Sequence, residues 1–224
     1  MGSVQAPDGG CGERLGREVP DNQGGHTVRK CIEHDDLGCP MTRINRVNGQ
    51  GPTPCPIMLI GEAPGKTEDK QGIPFCGKSG SELTYLYLDK CANISRQNVY
   101  VTNLVKCRTN DRDRDPSQAE ENACSHLLVD ELLKVKPRFV GLIGRLSSRW
   151  LLHDVKMEKM HGFGYEYDFY PWGVHIGIMK VMPLYHPAYG LHNTAMMRHI
   201  MEDFTRFGRL VRGDTNVMWK ERKE

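Results

Sequence analysis

The chain has 224 residues, of which 38% are hydrophobic and 26% charged, with a formal net charge of +2. These values exclude a disordered chain, and they exclude a protein that coats nucleic acid through a strong global field. No apolar run approaches the roughly 20 residues that a membrane span requires.

Residues 1–27 are Gly-rich and polar, lack the apolar stretch of a signal peptide, and read as a flexible tail on a cytoplasmic protein. One folded domain is expected over 28–213, with 214–224 as a polar C-terminal tail. "PIMLI" is a short apolar run ending at Gly61, suited to a buried parallel strand. "SGSELTYLYLDKC" places Leu83, Leu86 and Tyr87 at helical spacing after a Ser cap. "NVYVTNLV" is β-branched and strand-like. "DPSQAEENACSHLLVDELLKVK" reads as a long amphipathic helix with an Asp or Ser cap and Pro116 in its first turn. "RFVGLIG" is a third buried strand and "RLSSRWLLHD" a helix. "YEYDFYPWGVHIGIMKVMPLY" reads as strand–turn–strand with the turn at Pro171–Gly173, and "NTAMMRHIMEDFTRFGRLVR" as a closing helix. This alternation predicts a single-domain three-layer α/β/α sandwich around a central, mostly parallel four-stranded sheet.

Ligands of such sheets bind at the carboxyl ends of the strands. Glu62, Phe75, Asn103 and His186 all follow strand ends and are expected around one crevice. Each has a plainer reading, as a cap, a core ring or a strand-end histidine satisfied by backbone; their joint occurrence favours a site. The loop "GEAPG" lacks P-loop spacing, and Glu62, Glu68 and Asp69 would repel phosphate. Nucleotide hydrolysis on this loop is disfavoured for that reason. Eight cysteines without an export signal point to metal or cluster ligation more than to disulfides, although Cys91 reads as a small core residue.

"GEAPGKTED…GIPFCGKSGSEL", "VYVTNLVKCR" and "YHPAYGL" resemble the three motifs of the uracil-DNA glycosylase superfamily, most closely its iron–sulfur branch, family four. The resemblance runs from about Cys31 to Phe207. It implies a DNA glycosylase that flips a nucleotide into a pocket and hydrolyses its N-glycosidic bond. Catalysis then falls to Glu62, which positions water; to His186, which donates toward the base O2; and to Asn103. Gly61, Ala63, Gly65, Phe75 and Asn103 would bind the base. Lys78, Arg108, Tyr189 and Leu191 would contact DNA, with Leu191 as the wedge and Tyr189 the runner-up. Lys106, Arg112 and Arg114 are further phosphate candidates, and a solvated mixed-charge loop is the plainer reading of that segment.

The resemblance also implies a 4Fe-4S cluster on Cys31, Cys39, Cys107 and Cys124, with Cys55 open as a substitute for Cys31 and zinc open as the metal. The expected partner is DNA, single- or double-stranded, bound by a monomer. Cys76, Gly190 and His192 depart from the family pattern. A rearranged rim there keeps open an anti-phage enzyme that excises a hypermodified base such as glucosylated hydroxymethylcytosine from phage DNA. A non-catalytic iron–sulfur DNA-binding module is the remaining alternative.

Overall fold

A computed structural model describes residues 18–20, 27–29, 45–109, 114–170 and 175–219. Near the N-terminus, β1 (Glu18–Pro20) and β2 (Thr27–Arg29) pair antiparallel. The main sheet contains β3 (Ile57–Gly61), β4 (Tyr100–Asn103), β5 (Phe139–Ile143), β6 (Tyr165–Phe169) and β7 (Gly177–Leu184), in the order β4-β3-β5-β7-β6. Strands β4, β3, β5 and β7 are parallel, and β6 is antiparallel to β7 at the edge. The sheet therefore has five strands rather than the expected four. The fifth is the outer arm of the strand–turn–strand, whose turn at 171–173 lies outside the described residues. Along β6 half-buried and exposed residues alternate, as suits an edge strand with one wet face.

Side-chain alternation divides the core into two layers. Met58, Ile60, Val140, Leu142 and Val181 pack on one face, together with Leu128 and Leu132 of α3 (Gln118–Val135). Leu59, Val101, Met182 and Leu184 pack on the other, against Ile200, Phe204, Phe207 and Leu210 of α7 (Thr194–Val211). Those four α7 residues recur at helical spacing, which is why an otherwise polar helix docks. Each fully buried Leu or Phe contributes about 1.5–3 kcal/mol.

Short helices connect the strands: α1 (Lys66–Gln71), α2 (Lys78–Glu82), α4 (Arg145–Leu152), α5 (Met157–Met160) and α6 (Pro187–His192). Helix α2 begins at Gly77, with no side-chain cap, so the expected Ser cap is absent. It continues as a π-helix over Leu83–Ala92, whose wider turn sends Leu88 fully into the core and leaves Leu86 half-buried. Helix α3 opens with a capping box between Ser117 and Glu120, so Pro116 precedes the cap instead of occupying the first turn. Beyond residue 213, Val217 is buried and Trp219 stacks on Tyr165. No helix among the described residues is long and apolar enough to cross a membrane.

Candidate active site

Parallel pairing brings the strand ends level. Gly61 pairs with Asn103, and Ile143 with Leu184. Glu62, Asn103, Gly144 and His186 thereby reach the same edge of the sheet, around a cavity of about 340 Å³. That volume lies within the range of small-ligand pockets, about 300–1,000 Å³. Glu62, Ala63, Gly65, Phe75, Asn103, His186 and Tyr189 all line it. Gly61 lies directly behind, where a Cβ would stand 2.6 Å from the Phe75 ring and collide with the Asn103 amide as well. Only glycine permits the asparagine and the phenylalanine to approach this closely.

Phe75 has φ 54°, a left-handed conformation that a bulky residue adopts at a cost of about 1–3 kcal/mol. Its ring stacks with His186 at 6.4 Å between centroids and 27° between planes. Buried Glu68 holds the loop in place, its Oε1 accepting a 2.7 Å hydrogen bond from Gly77 N–H. Sequence reasoning treated Glu68 only as a charge that repels phosphate. Its role as a clasp between α1 and the loop at Gly77 has no periodic signature. Cys76 follows Phe75 but is not among the residues lining the cavity.

Glu62 Oε1 accepts a 2.8 Å hydrogen bond from Leu146 N–H at the start of α4. Gly144 allows this approach: its φ is 96°, and a Cβ there would meet the Glu62 carboxylate. Burial pushes the Glu62 carboxyl above its ordinary range. Asp115 adds to that rise, while the Leu146 N–H and Arg145 oppose it.

His186 caps α6, and its Nδ1 accepts a hydrogen bond from Ala188 N–H at 3.1 Å. A neutral imidazole that accepts at Nδ1 carries its proton on Nε2. Desolvation pushes the His186 pKa down to about 4, which favours that neutral form. Just upstream, Tyr185 N–H donates to Asp203 Oδ2 at 3.0 Å, and Asp203 Oδ1 lies 2.7 Å from His161 Nδ1. Asp203, pushed up by burial, thus fixes the backbone that carries His186.

Asn103 is 3% exposed, and its main-chain carbonyl accepts from Lys106 Nζ at 2.8 Å. Lys106 itself is 1% exposed and cannot meet a DNA phosphate, contrary to expectation. Burial drives its pKa down, and Glu131, 2.7 Å away, opposes that shift. Arg114 lines the cavity, with its guanidinium held by Glu120 in a two-pronged pair at 2.6 and 2.8 Å. Arg112 lies outside the described residues. Lys78 is exposed at the start of α2, and Arg108 is half-buried beside the lining residue Thr109. On α6, Tyr189 is 59% exposed at the cavity, whereas Leu191 is half-buried and does not line it.

Cys107 and Cys124 are each 1% exposed, outside any disulfide, and share one core cluster. Cys31 and Cys39 lie outside the described residues, and among the described residues no group of three metal-binding side chains converges. Cys55 stands just before β3, at the end remote from the cavity, with its Sγ 3.1 Å from Ile57 O and 3.3 Å from Asn98 O.

The Uracil DNA glycosylase superfamily model matches residues 48–205, well over half the chain. The type-4 uracil-DNA glycosylase of Saccharolobus solfataricus is 38% identical over 180 residues, covering 79% of this chain and 80% of that protein. Its namesake in Sulfurisphaera tokodaii is 34% identical over 173 residues, covering 75% and 76%. The Archaeoglobus fulgidus type-4 uracil-DNA glycosylase is 32% identical over 189 residues, covering 82% and 88%. With those relatives and a cavity built from the same motifs, the chain belongs to the uracil-DNA glycosylase superfamily, on its type-4 branch, and is a hydrolase of N-glycosyl bonds.

Proposed function

We propose that the chain excises uracil from DNA and leaves an abasic site. The observation that carries this reading is the convergence of Glu62, Phe75, Asn103 and His186 on one cavity at the strand ends. A flipped nucleotide costs a few kcal/mol in lost stacking, and a fitted pocket offsets that cost. Phe75 and the stacked His186 offer the base a face. Asn103 presents an amide acceptor and donor to its Watson–Crick edge.

The C1′–N1 bond breaks with its electron pair going to N1. Negative charge then spreads to O2, where the Nε2–H of neutral His186 donates a hydrogen bond. Water attacks C1′ and surrenders a proton toward Glu62, whose Oε1 is engaged by Leu146 N–H and whose Oε2 is assigned to the water. Tyr189, more exposed than Leu191 and set at the cavity mouth, is the better wedge into the duplex. The test is free-base release from uracil-containing duplexes, with loss of release in Asn103→Ala and His186→Ala. Equal release by those variants overturns the reading and favours a binding module.

We further propose a 4Fe-4S cluster on Cys31, Cys39, Cys107 and Cys124. Cys107 and Cys124, two of the three buried thiols in one apolar cluster, suit the sulfur ligands of such a group, with the buried Lys106 next to Cys107 in the chain. When bound, the cluster would cross-link the N-terminal segment to β4 and α3. Cys55 is left out of this set because its Sγ already meets Ile57 O and Asn98 O and it stands at the end of β3 remote from the cavity. Anaerobically purified protein should absorb broadly near ~400 nm. Cys107→Ser and Cys124→Ser should lose the colour, and Cys55→Ala should keep it. A colourless protein with stoichiometric zinc contradicts the cluster. The free thiols at Cys76 and Cys91 accord with work in a reducing cytoplasm.

A further inference from the structure

Lys106 lies outside the chemistry above, yet it is among the most deeply buried large side chains of the described protein. An ammonium has three N–H donors. Here they meet Thr102 Oγ1 at 2.7 Å, Asn103 O at 2.8 Å and Glu131 Oε2 at 2.7 Å. Two of those acceptors belong to the end of β4, where Asn103 enters the cavity. The third belongs to α3, on which Cys124 and Glu131 are seven residues apart and so share one face.

Other segments meet at the same point. The second oxygen of Glu131 accepts from Gly49 N–H at 3.0 Å, and Lys106 O accepts from Val47 N–H at 2.7 Å. Residues 45–50, which follow the N-terminal cysteines, are thereby tied to the same pair. Cys107 is the next residue in the chain. The Lys106–Glu131 pair joins the two cysteine-bearing elements to the asparagine assigned to the base.

A buried ion pair is a poor source of net stability, because desolvating two charges offsets most of their attraction. Its value lies in geometry: the charges hold only one arrangement of the groups around them. We propose that Lys106 is a positioning residue for base recognition, fixing Asn103 in the cavity through the end of β4. This rests on the assignment of Asn103 to the base, and it adds a residue that touches neither base nor sugar.

The test compares Lys106→Met with the double variant Lys106→Met/Glu131→Met, which leaves no orphaned carboxylate and so protects folding. Single-turnover release from a uracil duplex should fall at least tenfold in both, with the DNA dissociation constant within twofold of wild type. The side-chain amide NMR pair of Asn103, assigned by its loss in Asn103→Ala, should shift or broaden in both. Wild-type rate and an unmoved amide signal in the folded double variant overturn the proposal. Recovery of rate in the double variant also overturns it, since the single-variant loss would then come from the unpaired Glu131. If neither variant folds, Thr102→Val removes one of the three acceptors and carries the same expectation on rate and amide signal. If wild-type protein releases no uracil, the functional reading fails, and the amide signal alone decides the role of Lys106.

Discussion

At the scale of single residues, the two titratable groups of the site are biased in opposite directions. His186 is held as the Nε2–H tautomer with its pKa near 4, so it remains neutral well below the ordinary histidine range near 6.5. Glu62 is pushed upward by burial. The proposed mechanism needs Glu62 ionised and His186 neutral, so protonation of either should remove activity on the acid side. Because the histidine is lowered and the carboxylate raised, the first loss on acidification belongs to Glu62. Single-turnover rates should decline on acidification along a limb set by a carboxylate raised above its ordinary range. Glu62→Gln should remove that limb and slow release by about 10²–10⁴-fold at pH 7. An acid limb centred near pH 6.5 that disappears in His186→Gln would contradict the assignment. Glu62, Asn103 and His186 were legible in the sequence because strand ends locate a site in a parallel sheet. Glu68 and Lys106 were not, because a charged side chain carries no local mark of burial. Lys106 reads as a phosphate contact until its three acceptors are seen.

At the scale of elements, the start of α3 gathers hydrogen bonds from Ser117 and Arg114 on one carboxylate. Glu120 accepts from Ser117 N–H, faces Arg114, and is held at a pKa of about 2, chiefly by the Arg114 hydrogen bonds. A folded-state pKa below the unfolded value gives stability that is present above about pH 4.5. That stability is lost as pH falls toward about 2. Glu120→Gln should cost about 1–2 kcal/mol in urea unfolding at pH 7, a figure reduced for the half-exposed Arg114. The gap from wild type should narrow at pH 3, and a gap independent of pH would show that the ion pair is not its source. The cap was legible in the sequence only as Asp or Ser, without the reciprocal bond from Glu120. The π-helix was not legible, since the apolar residues at 83, 86 and 87 fit an ordinary helical face equally well. The extra strand was visible as a segment, but its place in the sheet is set by pairing with β7, a tertiary fact.

At the scale of the whole molecule, one sheet edge gathers four chain segments that are far apart in sequence. β3 delivers Glu62, and the loop that follows delivers Phe75. β4 delivers Asn103, the segment just after it delivers Lys106, and β7 leads into His186. Two core layers hold those strands level, so the cavity inherits the rigidity of the sheet. Cys107, in the segment after β4, and Cys124 on α3 are buried in one core cluster. Substrate choice was the least legible property. Asn103 matches the edge of uracil or, flipped, of cytosine, and Cys76, one of the departures that suggested a rearranged rim, is not among the cavity's lining residues. The most direct measurement is chromatographic detection of free base after wild-type protein meets matched duplexes carrying uracil, hypoxanthine or glucosylated hydroxymethylcytosine. Release of uracil alone is the predicted result. Release of the modified cytosine without uracil would contradict it.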